Sequence, residues 1–131
     1  MSTIFGWDIV DSSSFIKDEP VQSLHTIARL ATDIERALVK LGCRSLQFRG
    51  DGAYFLAPSG DYKSITAYKQ AVQEALSSAP SGLQLYAFST EGEIIVTEVG
   101  ELSEAFWRID KALKQPDQRL ITGVDVNILA L

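Results

Sequence analysis

A chain of 131 residues with 46% hydrophobic content has the size of one domain and enough apolar side chains for a core, which excludes a disordered segment. Its 17 acidic and 12 basic residues leave a formal charge of −5, so it lacks the basic face that grips a nucleic acid duplex regardless of sequence. One cysteine excludes an internal disulfide, one cysteine with one histidine excludes a zinc site of several soft ligands, and no serine has the nucleophile-elbow glycines of a Ser–His–Asp hydrolase beside the lone His25.

No apolar run is long enough to span a bilayer, and residues 1–5 (MSTIF) lack signal-peptide character, so no membrane partner is expected. The lone thiol, Cys43, is expected to be buried and inert, in keeping with a reducing, cytoplasmic setting.

In chain order, residues 4–10 (IFGWDIV) predict an apolar strand, followed by the polar run Asp11-Ser12-Ser13-Ser14. A helix is expected from Asp18-Glu19-Pro20, with Val21, Leu24, Ile27, Leu30, Ala31, Ile34, Leu38 and Leu41 on one face and Gly42 as its stop. Residues 46–49 and 53–57 predict a hairpin turned at Gly50-Asp51-Gly52. Pro58-Ser59-Gly60-Asp61 then caps a second helix with Tyr62, Ile65, Tyr68, Val72, Ala75 and Leu76 as its stripe. Residues 83–89 and 93–99 predict two strands joined around Thr90-Glu91-Gly92. A third helix is expected over 101–113, with Leu102 in its apolar stripe and Lys114-Gln115-Pro116-Asp117 ending it. A strand at 119–122 and an apolar tail at 124–131 follow.

The order βαββαββαβ predicts an α+β fold with a ferredoxin-like, palm-type βαββαβ core, an antiparallel sheet and helices on one face. The whole of 1–131 reads as a single palm domain. In such a sheet the first strand lies beside the hairpin, so Asp8 and Asp51 are expected to meet at one edge. Two acids there can hold hard cations through oxygen, as magnesium bound to a triphosphate requires. The glycines beside Asp51 let backbone approach a ligand, and the amides of Asp11, Ser12, Ser13, Ser14 and Phe15 offer a seat for phosphate oxygens.

These residues resemble a known family. Phe5-Gly6-Trp7-Asp8-Ile9-Val10-Asp11-Ser12 resembles the first metal motif of the class III nucleotidyl cyclase catalytic domain, and Arg49-Gly50-Asp51-Gly52 its second. Thr90-Glu91-Gly92-Glu93-Ile94 and Val99-Gly100 with Ala105-Phe106-Trp107-Arg108-Ile109 are similar to two later motifs. The resemblance implies that Asp8 and Asp51, assisted by the Ile9 carbonyl, hold two Mg²⁺ or Mn²⁺ ions. It implies that Arg108 stabilises charge on the transferring phosphoryl group, and that Gln47 and Thr97 contact the base. It also implies a homodimer in which Arg108 of one subunit faces the aspartates of the other, and conversion of a nucleoside triphosphate to a cyclic nucleotide signal.

The chain departs from the family at Glu104 (asparagine in the pattern), at Asp11 (glycine), and at Gln47 and Thr97, which match neither purine's recognition pair. The family's final hairpin is not seen in the sequence. Two alternatives stand beside the cyclase reading. One is a minimal CRISPR-polymerase or GGDEF-like palm enzyme making a cyclic dinucleotide. The other is a catalytically inactive palm domain that binds a nucleotide or a partner.

Overall fold

A computed structural model describes residues 1–80, 82–114, 120–122 (backbone only) and 126–131. The elements in order are β1 (Ser2–Ile9), α1 (Ser12–Ile16), α2 (Pro20–Lys40), β2 (Arg44–Phe48), β3 (Gly52–Ala57), α3 (Tyr62–Ser77) and β4 (Leu85–Gly92). They continue with β5 (Ile95–Thr97), β6 (Gly100–Leu102), α4 (Glu104–Leu113), β7 (Leu120–Thr122) and β8 (Val126–Ala130). Among the described residues six strands form one sheet in the order β2-β3-β1-β4-β8-β7, every neighbour antiparallel, and β5 pairs with β6 apart from it. This is the α+β palm arrangement: β1 sits centrally, between the strand that ends the first hairpin and the strand that follows the second long helix.

Alternation along β1 sorts its side chains between two cores. Phe5, Trp7 and Ile9 join Ile27, Leu30, Ile34 and Leu38 of α2 and Tyr68 and Val72 of α3 on one face. Ile4 joins Tyr54, Phe88 and the Ala105, Phe106, Ile109 and Ala112 stripe of α4 on the other. With α2 and α3 on the first face and α4 on the second, β1 is covered on both sides. That is why residues 4–7 run without a polar alternate until Asp8. Cys43 is buried, and burial pushes its thiol up to about 11, as an inert core thiol requires.

Several expected boundaries are corrected. Thr90, Glu91 and Gly92 are not a turn; they continue β4 opposite Ile4, Thr3 and Ser2. Gly92 is small because α4 begins against it: a Cβ there would lie 2.8 Å from Ser103 Oγ and 2.9 Å from the Ala105 methyl. Residues 101 and 102 belong to β6, because Ser103 is the N-cap of α4 and accepts from the Ala105 amide at 3.2 Å. The polar run after β1 forms α1, which docks on α2 where Ser23 Oγ donates to the Phe15 carbonyl (3.1 Å). The buried stripe of α2 therefore begins at Ser23, and Val21 and Leu24 stay exposed. Tyr62, at the start of α3, is exposed as well.

The apolar tail is not free. Val126 and Ile128 are buried, and β8 pairs with both β4 and β7, so the tail packs on the sheet as a strand. The expected helix stop at Gln115-Pro116-Asp117, together with Arg119 and Val124, lies outside the described residues. Among the described residues no helix is long and apolar enough to cross a membrane.

Gly6 is the tightest point of the central strand. A Cβ there would overlap the Ala53 carbonyl oxygen and the Phe88 ring, and a backbone atom cannot step aside as a flexible side chain can. Gly6→Ala is therefore expected to cost about 2–3 kcal/mol by overpacking, read as a lower urea midpoint with an unchanged m-value.

Candidate functional site

The register of β1 against β3 places Asp8 opposite Gly52, and the alternation that puts Ile4 on the α4 face puts Gly6 and Asp8 there too. The Asp8 carboxylate lies over Gly52, where a Cβ would come within 2.8 Å of Oδ1 and 2.5 Å of the Trp7 carbonyl. The β2–β3 turn is tight: the Arg49 amide donates to the Gly52 carbonyl at 2.8 Å, leaving Gly50 and Asp51 as its two central residues. Gly50 takes φ 89°, the positive value needed at the first position of one favoured two-residue hairpin turn. The Ile9 amide donates to the Asp51 carbonyl at 2.7 Å, so the end of β1 is bonded directly to the turn. Ile9 thus contributes its amide to the arrangement.

The residues expected to seat phosphate lie at this same edge. Ser12 Oγ donates to Asp51 Oδ2 at 3.0 Å, which ties α1 to the hairpin acid. The Ser14 and Phe15 amides donate to the Asp11 carbonyl at 3.1 and 3.4 Å, so these two close the α1 turn. Asp11 sits at φ 53°, ψ 52°, a left-handed conformation in which glycine is the default and which aspartate tolerates better than most.

The structure therefore brings Asp8, Ile9, Asp51 and the segment from Asp11 to Phe15 together. Burial, then the nearby Asp51 charge, push the Asp8 carboxyl up to about 7; Arg49 works against the rise and Asp110 adds to it. At neutral pH Asp8 is poised between its two protonation states. Among the described residues no group of three or more His, Cys, Asp or Glu side chains could hold a metal ion unaided. What the edge offers instead is two adjacent acids, one of them desolvated. That donor set suits a hard divalent cation whose remaining ligands come from phosphate oxygens and water.

Three expected residues lie elsewhere. Arg108 of α4 donates to Glu104 Oε2 (2.7 Å), Thr90 Oγ1 (2.9 Å) and the Glu91 carbonyl (2.7 Å). Asp8 is paired with Tyr86, so Thr90 is four residues farther along β4, roughly 13 Å at the usual strand rise. Within one chain, Arg108 and the aspartates are at opposite ends of β1. Gln47 of β2 lines a pocket of about 270 Å³ with Arg49, Tyr54, Phe106, Trp107 and Asp110. Thr97 does not line it; its hydroxyl donates to the Gly100 carbonyl (2.7 Å) and accepts from the Val99 amide (3.2 Å) in its own hairpin. A larger surface cavity, about 640 Å³ beside His25 and Arg29 of α2 and the end of α3, contains neither aspartate.

Sequence reasoning missed a second cluster on the α4 face. Arg49 Nη1 is paired with Asp110 and donates to Tyr54 Oη (2.5 Å), which in turn donates to Asp110 Oδ1 (3.0 Å). Tyr54 stacks on Phe106, with ring centroids 4.5 Å apart and planes at 4°. Burial opposes the Asp110 charge, but the bonds from Arg49 and Tyr54 outweigh it and hold the carboxyl below its usual range. The available signal was helical spacing: Phe106 and Asp110 are four apart and share a face of α4.

The chain has the fold of nucleotide cyclase catalytic domains. It is similar to adenylate cyclases from Trypanosoma brucei in their monomeric state (TM-score 0.63, 14% identity, 99% of this chain and 88% of that one). It is also similar to the adenylyl cyclase CyaB from P. aeruginosa (TM-score 0.59, 12% identity, 97% and 91%). A third similar structure is the guanylate cyclase domain of RhGC from Catenaria anguillulae in complex with GTP (TM-score 0.58, 10% identity, 78% and 64%). The chain spans 64–66% of that domain and of the guanylyl cyclase domains from Blastocladiella emersonii. No family model matches the sequence, and no curated protein matches it.

The raised Asp8 carboxyl has a measurable consequence in metal-free buffer. Between about pH 4 and pH 7 the folded state keeps a proton that the unfolded chain releases. Stability from this group is thus fully present below the unfolded value and is lost as pH rises through about 7. Asp8→Asn cannot ionise, so at pH 8 it is expected to be more stable than the parent by about 2 kcal/mol, allowing for partial exposure. The gain should vanish near pH 4 in paired thermal or urea unfolding.

Proposed function

We propose that this chain is a metal-dependent nucleotidyl cyclase-like domain that converts a nucleoside triphosphate to a cyclic nucleotide. The observation that carries the reading is the Asp8–Asp51 pair, bonded edge to edge through Ile9 and flanked by Ser12, in a cyclase palm. In the reaction the ribose 3′ oxygen bonds to the α-phosphorus, the bond from that phosphorus to the bridging oxygen breaks, pyrophosphate leaves and the hydroxyl proton passes to solvent. Mg²⁺ or Mn²⁺ bound by Asp8 and Asp51 would supply positive charge for the phosphates and the attacking oxygen. The protein's own share is to hold the two carboxylates side by side through the β1–β3 register, with Ser12 orienting Asp51.

A homodimer completes the reading. Arg108 cannot act beside Asp8 and Asp51 of its own chain at the separation described, but a second copy can present it. Exposed Ile95, Val96 and Val99 around the β5–β6 arm and exposed Trp107 on α4 supply apolar surface for such contact. One observation favours a second reading, a nucleotide-binding domain without turnover: Glu104 already holds Arg108.

Incubating the protein with each of the four triphosphates and Mn²⁺ or Mg²⁺ decides between them. The cyclase reading expects a cyclic mononucleotide and pyrophosphate, with activity lowered about 100-fold or more in Asp8→Ala and Asp51→Ala. Binding by calorimetry with no product from any triphosphate contradicts turnover, and a dinucleotide product moves the chain to the polymerase-like alternative. In light scattering, the dimer is expected to persist at micromolar concentration and to weaken in Val96→Asp.

A further inference from the structure

A cation stands beside the candidate site. Arg49 leaves the hairpin two residues before Asp51, its amide is bonded to the carbonyl of Gly52, the residue opposite Asp8, and its guanidinium reaches Tyr54 on the same face of the sheet as Asp8. It is held by Tyr54 and by Asp110 on α4, and Tyr54 is braced by its stack on Phe106. The Arg49 and Asp110 side chains keep 37% and 34% of their surface exposed, and both line the pocket of about 270 Å³ that also contains Gln47 and Trp107.

The chemistry of this cluster favours a multiply charged anion. A guanidinium fork presents parallel donors that match two oxygens of a phosphate group, and bonds of that kind are strong. The existing Arg49–Asp110 pair faces water, where an ion pair contributes little and is readily exchanged. Asp8, Asp51 and Asp110 otherwise make this edge acidic, so an incoming polyphosphate needs a fixed positive group close to the hairpin. Glu101, on the pocket's far wall, is already engaged by Arg44.

We propose that Arg49 is a polyphosphate-binding residue of this site, held in reserve by Asp110 and transferred to phosphate oxygens when the ligand enters. The proposal rests on the nucleotide reading above and deepens it. Because Asp110 belongs to α4, the exchange also loosens the tie between the hairpin and the helix that carries Glu104 and Arg108. Ligand binding at the aspartate edge is thereby coupled to the position of α4.

Calorimetric titration of the full chain with inorganic tripolyphosphate, in chelator and without divalent cations, tests this directly. The parent is expected to bind, Arg49→Ala to bind about tenfold more weakly, and Asp110→Asn to bind more tightly because the competing carboxylate is gone. Thermal melts check folding, and the opposite sign of the two variants cannot arise from a general loss of structure. Equal affinity in the parent and Arg49→Ala, or no binding by the parent, overturns the proposal. Weaker binding by Asp110→Asn overturns the reserve role. The two readings fail separately. Mn²⁺-dependent turnover lost in Asp51→Ala, with tripolyphosphate binding indifferent to Arg49, keeps the cyclase and removes this assignment. Arg49-dependent binding without turnover does the reverse.

Discussion

The antiparallel register between β1 and β3 is the constraint on which the site depends. It sets Asp8 opposite Gly52 and lets the Ile9 amide reach the Asp51 carbonyl, so two acids distant in sequence become neighbours through backbone bonds. A slip of one residue would turn Asp8 toward α2 and α3 and bring Trp7 to the α4 face. Burial on both faces prevents this. Phe5, Trp7 and Ile9 fill one core, while Gly6 gives Phe88 its space on the other.

Register alone would produce an unfavourable arrangement, because Asp8 is desolvated and stands in the field of Asp51. The chain accepts that cost at the one edge where two strand ends, a tight turn and a short helix meet. A buried acid beside another acid is a common mark of a functional site, since folding stability gains nothing from it. Arg49 offsets part of the repulsion, and its own charge is balanced by Asp110 of α4 on the same face. The result is a charge network that spans the hairpin and α4 and is open to solvent at the pocket. Arg108, anchored at the far end of β4, belongs to a different part of the surface.

Much of this was legible in the sequence, for local reasons. The apolar run around Asp8, the Gly-Asp-Gly turn and the long stripe of α2 each declare their structure within a few residues. The antiparallel palm order follows from their succession. What escaped detection depends on contacts distant along the chain. Gly92 looks like a turn residue until α4 is seen pressed against it, and Leu102 fits a helical stripe until Ser103 is recognised as the cap. The tail at 126–131 is apolar enough to be expected on the sheet, but its place as a strand beside β4 is set by contacts distant in sequence. The Arg49–Tyr54–Asp110 cluster joins a turn, a strand and a helix, and the four-residue spacing of Phe106 and Asp110 marks only its helical side.

Asp8 and Asp51 are proposed to form one cation and triphosphate site. Crystals grown with Mn²⁺ and a non-hydrolysable triphosphate analogue, measured at a wavelength where manganese scatters anomalously, address it most directly. An anomalous peak is expected between the two carboxylates, in contact with phosphate oxygens. Phosphates seated elsewhere, with no manganese between Asp8 and Asp51, would contradict it.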